Sequence, residues 1–462
     1  MGEKHKINKI NKKTKKRKEV MEEKKSVIVV GCGIFGVSSA IELKKRGYEV
    51  KMIDREAVPH QEASSTDISK IVRLDYGSDE LLTELMEKSI EGWRKMNKEF
   101  GDEIYHENGL LVLSSRKMEK GSFEYESLEM MGKRGVTDFF SRQKKQTLFI
   151  SKTKKWLKKH KVRKLGNEEL KKEFPAWREG KFMESYLNPQ SGWVESGKAV
   201  ALLLQKALEM DIHLIISSVT ALIFSEQNNK VRGVTLEDGT SLDSDYVVLS
   251  AGPWSPSLLP SLKRVLRPTA QTVFHFEIPK ELKHSFSHPN FTAYTCDIQQ
   301  TGFYGFPAHP FDGRLKVGHH AVGNVMEDPT TTKIINYGDR VRKEKEKLFR
   351  EFLKDNLPSM AEAPVIGYRT CLYCDSYDGN FFICRHPAHE NLIISTGGSG
   401  HGFKFGPMLG ILAADSLEGK SNKFAQRFEW REPSEKFIQG DESRCLEKNP
   451  LIPTKSSLPS QC

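Results

Sequence analysis

The sequence predicts a mixed α/β and α+β protein, a Rossmann-like domain interleaved with a β-rich domain. Three observations carry this. A β-branched run opens into a glycine fingerprint and a helix near residue 26. Buried-type strands recur near residues 250 and 395, and β-rich stretches lie between them. Length alone, 462 residues, suggests about three domains. The recurrence near the start, middle and end fits two interleaved domains better than three beads on a string.

The elements follow in order. Ser26-Val27-Ile28-Val29-Val30 is apolar on both faces, as a buried parallel strand is. A helix fits Ile34 to Arg46, with Lys44, Lys45 and Arg46 in its last turn and Gly47 as its stop. Glu49 to Ile53 completes a βαβ opening. Leu82, Leu85, Met86, Ser89, Trp93 and Met96 recur at helical spacing and predict a long amphipathic helix. Asn108-Gly109, between Ile104-Tyr105 and Leu110–Leu113, predicts a hairpin. Gly197 to Met210 reads as a helix, Leu214–Ser217 as a strand, and Asp238-Gly239 as a second hairpin turn. Tyr246–Leu249 and Asn391–Thr396 read as buried strands, and Pro407 opens a last helix.

Charge is unevenly placed. Net charge is +11, but residues 1–25 hold 11 basic and 4 acidic groups and residues 141–164 hold 11 basic and none acidic. The other 413 residues carry 50 basic and 57 acidic groups, so the body is mildly acidic. The first 25 residues read as a solvated tail, with a nuclear-type address or a polyanion contact as the alternative. Residues 141–164 read as an exposed insertion. No apolar run approaches the about 18 residues of a membrane-spanning helix, and the start lacks the apolar core of a secretory signal. Neither a membrane nor nucleic acid is an expected partner.

The seven cysteines are odd in number and scattered, which argues against a disulfide framework. Cys371-x-x-Cys374 admits a zinc or thioredoxin-like reading, but a zinc site needs two more ligands and only Cys384 is near. No metal is expected.

Gly31-Cys32-Gly33-Ile34-Phe35-Gly36 is G-x-G-x-x-G between strand and helix. Gly31 allows the tight turn, Gly33 a close approach of pyrophosphate, and Gly36 close helix–strand packing. The helix N-terminus meets the phosphates. Asp54 ends the second strand where a ribose-binding carboxylate belongs, and an acid there favours FAD or NAD over NADP.

Four blocks bear a family resemblance: this fingerprint; Asp67-Ile68-Ser69-Lys70-Ile71-Val72-Arg73; Phe303-Tyr304-Gly305-Phe306-Pro307 with Leu315-Lys316-Val317-Gly318-His319-His320; and Cys371-Leu372-Tyr373 with Gly397-Gly398-Ser399-Gly400-His401-Gly402-Phe403-Lys404-Phe405. Over roughly residues 26–430 the chain resembles the flavin-dependent amine oxidases of the sarcosine oxidase type. These include N-methyltryptophan, pipecolate and saccharopine oxidases and, more distantly, fructosyl amino acid oxidases.

The resemblance implies an FAD enzyme that oxidises the secondary amine of an amino acid. Hydride passes to the flavin, the imine hydrolyses, and oxygen is reduced to hydrogen peroxide. Arg73 and Lys404 are the implied carboxylate clamp, and both residue types suit that task. Lys316 is the implied oxygen-activating cation, with His320 on the same strand face. Tyr304 and Tyr373 match pocket positions, with plain core packing as the alternative. Cys371 matches the cysteine that bonds covalently to the flavin. Lys70, Val219, Ala251, Gly252, Gly400 and Gly402 are further expected cofactor contacts, with Ile34, Phe35 and Lys404.

The expected cofactor part comprises residues 26–88, 192–264 and 366–430. The substrate part comprises 89–191 and 265–365, and 431–462 form a tail. A monomer acting on a small secondary amino acid and O2 is expected, in the cytoplasm or peroxisome, although Ser460-Gln461-Cys462 is no convincing peroxisomal ending. A fructosyl amino acid oxidase, an NAD-dependent dehydrogenase and an inactive polyanion-binding protein are the rival readings.

Overall fold

The computed structural model describes residues 24–134, 161–326, 329, 338–433 and 444. The expectations for residues 1–23 and 141–160 lie outside these. The β-branched opening run forms the strand Ser26–Val30, which pairs in parallel with Glu49–Asp54 on one side and Tyr246–Leu249 on the other. His213–Ile216 extends the sheet at one edge. At the other, His389–Thr396 runs parallel and Phe382–His386 antiparallel, giving six strands. Helix Ile34–Lys45 is buried along most of its length, and helix Gly406–Glu418 packs on it. That approach depends on Gly410, where an added Cβ would stand 2.1 Å from the Ser38 carbonyl oxygen.

A second, nine-stranded sheet carries the other core. Its long strand Leu266–Phe276 pairs antiparallel with Leu315–His319 and with Val365–Ser376. Phe274, Phe276, Phe286, Phe291, Tyr294 and Phe349 fill the space behind it. Strand Val365–Ser376 belongs to this sheet, yet its far end meets the glycine loop that follows His389–Thr396: Ser399 N–H donates to the Cys374 carbonyl at 3.0 Å. The two units meet there.

Most elements stand within a residue or two of their sequence limits. The long amphipathic helix is Glu80–Phe100, capped by the Asp79 carboxylate on Leu82 N–H. The hairpin expected at Asn108-Gly109 does not form. Tyr105–His106 pairs with Gly192–Val194 in a small three-stranded sheet, whereas Leu110–Ser114 pairs with Glu184–Asn188 and Ala293–Cys296 in the large one. Gly109 does take the left-handed conformation that such a dipeptide favours, with φ +95°. Its N–H goes to the Ser191 carbonyl, so the turn passes the chain from one sheet to another. The basic insertion likewise ends inside the fold: Arg163–Leu165 is a strand paired with Glu184–Asn188. Within the expected tail, Arg431 binds the Asp378 carboxylate, and Arg444 is fully buried against Asp375.

Candidate active site

Two cavities meet at the junction of the units. The larger, about 430 Å3, begins at the glycine fingerprint and runs past Asp54, Val219, Ala251 and Gly252 to the Gly398–Gly402 loop. Gly31 adopts φ +90°, and a Cβ there would lie 2.6 Å from the Ser250 carbonyl oxygen. A Cβ on Gly36 would stand 1.8 Å from the Gly31 carbonyl oxygen, so its role is packing. Gly36 lines neither cavity, whereas Gly31, Gly33, Ile34 and Phe35 line the larger one. Ser65, which carried no signal in the sequence, also lines this cavity. Its hydroxyl oxygen accepts Ile34 N–H at 2.9 Å, at the start of the helix. Asp54 accepts Cys32 N–H at 2.7 Å and remains on the cavity wall.

The larger cavity fits a dinucleotide. Ser250 and Trp254 contribute to its wall, and the Ser250 hydroxyl and Trp254 indole nitrogen are buried without a hydrogen-bond partner among the described residues. Buried polar atoms left unmatched are costly unless a ligand meets them.

The smaller cavity, about 80 Å3, shares Lys70, Cys371, Tyr373, Gly400 and Phe403 with the larger. Arg73, Lys404, Tyr304 and His320 line it too. Tyr76 organises the two cations. The Arg73 guanidinium lies 4.9 Å over its ring and the Lys404 ammonium 5.3 Å from the ring centre. Lys404 donates to the Tyr76 hydroxyl and to the His401 carbonyl, each at 3.1 Å. His401 Nε2 faces the Gly379 carbonyl, an acceptor only, so it carries the proton and Nδ1 accepts the Tyr76 hydroxyl at 3.0 Å. Neither Tyr76 nor His401 was singled out from the sequence. Their signals were the Arg73-x-x-Tyr76 spacing and a histidine inside the glycine-rich block.

Both aromatic residues named from the sequence sit on glycines. A Cβ on Gly318 would fall 2.3 Å from the Tyr304 ring, and one on Gly400 would fall 2.3 Å from the Tyr373 ring. Cys371 faces both cavities. Cys374 faces the larger one, but burial pushes its thiol up to about 12 and it accepts the Thr396 hydroxyl at 3.7 Å.

Lys316 stands elsewhere. It lines neither cavity and lies beneath the floor, 2% exposed, donating to Asp67 Oδ2 at 2.7 Å and to the Ser69 carbonyl at 2.6 Å. Burial lowers the ammonium to about 8, with Asp67 acting against that.

Residues 26–416 match the family of FAD dependent oxidoreductases. The chain belongs to that family. It is an FAD-dependent oxidoreductase, and the NAD reading falls away. It is 28% identical over 413 residues to monomeric sarcosine oxidase of Bacillus sp. (strain B-0618), covering 88% of this chain and 96% of that one. It is 26% identical over 435 residues to L-saccharopine oxidase of Schizosaccharomyces pombe, covering 88% and 93%. Among solved structures, fructosyl peptide oxidase from E. terrenum superposes with a TM-score of 0.74 at 21% identity, covering 92% of this chain and 96% of that one. That last likeness is one of fold. Among the described residues of the flavoprotein, no helix is long and apolar enough to cross a membrane.

Proposed function

We propose that this flavoprotein oxidises the secondary amine of a small amino acid, with the larger cavity holding FAD and the smaller one the substrate. The observation that carries the reading is the pairing of Arg73 and Lys404 on Tyr76 in a cavity that adjoins the cofactor space. Bound FAD would supply the redox chemistry, accepting a hydride from the carbon beside the amine nitrogen, which leaves a C=N bond, and giving the two electrons to O2 to form H2O2.

The protein's own groups bind and orient. Arg73 offers a planar fork and Lys404 a point charge to one carboxylate, which fixes the amine end toward the shared wall. Tyr304 and Tyr373, seated on their glycines, exclude water and hold the substrate close to that wall. Cys371 is the residue we assign to covalent attachment of the flavin. Lys316 is the cation we assign to the oxygen step, acting through the low-dielectric floor. A cavity of about 80 Å3 suits a sarcosine- or pipecolate-sized substrate better than a fructosyl amino acid. The relatives named for sarcosine and saccharopine support the amine class. The discontinuous part 26–88, 192–264 and 366–430 is the unit we assign to the cofactor.

The test is peroxide release across a panel of N-methyl and cyclic secondary amino acids, each beside its decarboxylated amine. Turnover is expected only with the carboxylate present. Arg73→Met and Lys404→Met are each expected to cost about 2–5 kcal/mol in kcat/KM. Equal turnover of the decarboxylated amines would overturn the reading.

A further inference from the structure

Lys316 is a cation closed off from solvent and held by a single carboxylate, Asp67, among the described residues. An ammonium 2% exposed is expensive to keep charged, and nearby cations add to the cost. Lys70, which lines both cavities, repels it, and Arg369 on the strand Val365–Ser376 adds positive field around Asp67. The His275 ring, paired across the sheet from Lys316, is neutral because burial lowers it to about 4. Cys371 acts slightly in favour of the charge, as does the Phe306 ring face 4.9 Å from the ammonium.

Asp67 is the counterweight. Its side chain is also 2% exposed. Burial alone would raise this carboxyl, but Lys316, Lys70 and Arg369 outweigh it and hold it well below the usual carboxylate range. It is fixed from several sides. Ile68 N–H donates to Oδ1 at 2.7 Å, and the Asp67 backbone carbonyl accepts Gly197 N–H at 2.8 Å and the Ser196 hydroxyl at 2.9 Å. His275 Nε2, 3.9 Å from Oδ1, is buried with no hydrogen-bond partner among the described residues. The acid is therefore clamped before it meets the lysine.

We propose that Asp67 is the positioning residue that keeps Lys316 charged and in place beneath the cavity floor for the oxygen step. The catalytic half of this statement rests on the role assigned to Lys316 above. Asp67 lines the smaller cavity beside Ser69 and Lys70, and its part in the oxygen step is exerted through the lysine.

Four proteins decide it: native enzyme, Asp67→Asn, Lys316→Met, and the double variant. In urea unfolding, the Asp67→Asn midpoint is expected to fall below that of the double variant, which leaves no unpaired buried charge. Flavin absorbance at equal loading checks that each variant is folded. In stopped-flow reoxidation at pH 8, where Lys316 is about half charged, Asp67→Asn is expected to slow the enzyme about fivefold or more, since a fall of one pKa unit leaves about a tenth of the lysine charged. The double variant should reoxidise no more slowly than Lys316→Met. Slowing factors that multiply in the double variant, or a native rate in Asp67→Asn, overturn the proposal. So does an Asp67→Asn midpoint at or above that of the double variant. A native rate in Lys316→Met instead removes the oxygen role of the lysine, while the urea ordering still decides whether the two residues act as a pair.

Discussion

Arg444 reaches Asp375 with both side chains closed to solvent, Nη2 to Oδ1 at 2.8 Å. The same nitrogen donates to the Ser399 carbonyl at 3.0 Å, and the guanidinium lies 5.5 Å from the Tyr373 ring centre. A residue near the end of the chain thus joins the strand carrying Cys371 to the glycine loop of the cofactor cavity.

Breaking a buried pair on one side costs about 3–5 kcal/mol, because the other charge stays behind unpaired. Arg444→Met is expected to lose stability on that scale, and truncation after residue 433 to lose as much. Arg444→Met combined with Asp375→Asn should recover part of it. Urea midpoints of the three proteins give the answer, and a native midpoint in Arg444→Met would show that the pair contributes nothing.

Attachment of the flavin is expected at Cys371. A thiolate is the attacking species, and the Cys374 thiol, pushed up to about 12 by burial, is poorly suited. Acid precipitation should leave the yellow colour in the protein pellet. Cys371→Ser should release it to the supernatant, and Cys374→Ser should not. Colour retained in Cys371→Ser would move the linkage elsewhere.

Tyr76→Phe removes the hydroxyl that accepts from Lys404 and donates to His401. Hydrogen bonds to charged groups contribute about 1.5–3 kcal/mol. KM is therefore expected to rise on the order of tenfold or more, with kcat less affected, because the clamp binds the carboxylate and not the reacting bond. Steady-state kinetics with the best substrate of the panel tests this. An unchanged KM with reduced kcat would place Tyr76 in the chemistry instead.

Acid should unfold the protein early. Burial lowers His275 to about 4 and His319 to about 3, against an ordinary value near 6.5. Between those limits the unfolded chain binds more protons than the folded one, so stability is full above pH 6.5 and falls as pH drops through 6.5 toward 4. Each histidine contributes on the order of a few kcal/mol to that loss. Urea midpoints at pH 7 and pH 5 measure it, and equal midpoints would refute it.

What was legible in the sequence was whatever repeats at short range. The βαβ opening showed because Ser26–Val30, the fingerprint glycines and Asp54 lie within one local unit. Arg73, Lys404, Tyr373 and Cys371 were found by motif, and all line the smaller cavity. Partners far apart in the chain were not legible. Asp67 and Lys316 are separated by 249 residues, and nothing local marks the acid as the mate of that lysine. The Asn108-Gly109 hairpin failed for a related reason: the dipeptide specifies a turn, whereas the strands it serves are chosen by distant neighbours. Arg444 was passed over because one arginine in a polar segment carries no periodic signal.

Strand Val365–Ser376 holds Leu266–Phe276 over most of its length, with Cys371 opposite Gln271 and Tyr373 opposite Thr269. Side chains alternate along a strand, so sliding this pair by one residue would turn Cys371 and Tyr373 to the opposite face. Sliding it by two would carry them about 7 Å along the sheet. The ladder therefore works as a ruler, setting where oxidant and fuel meet by whole residues and not by degrees. An enzyme gauged this way does not drift gradually out of alignment under heat or mutation. It keeps its measure until the ladder itself opens.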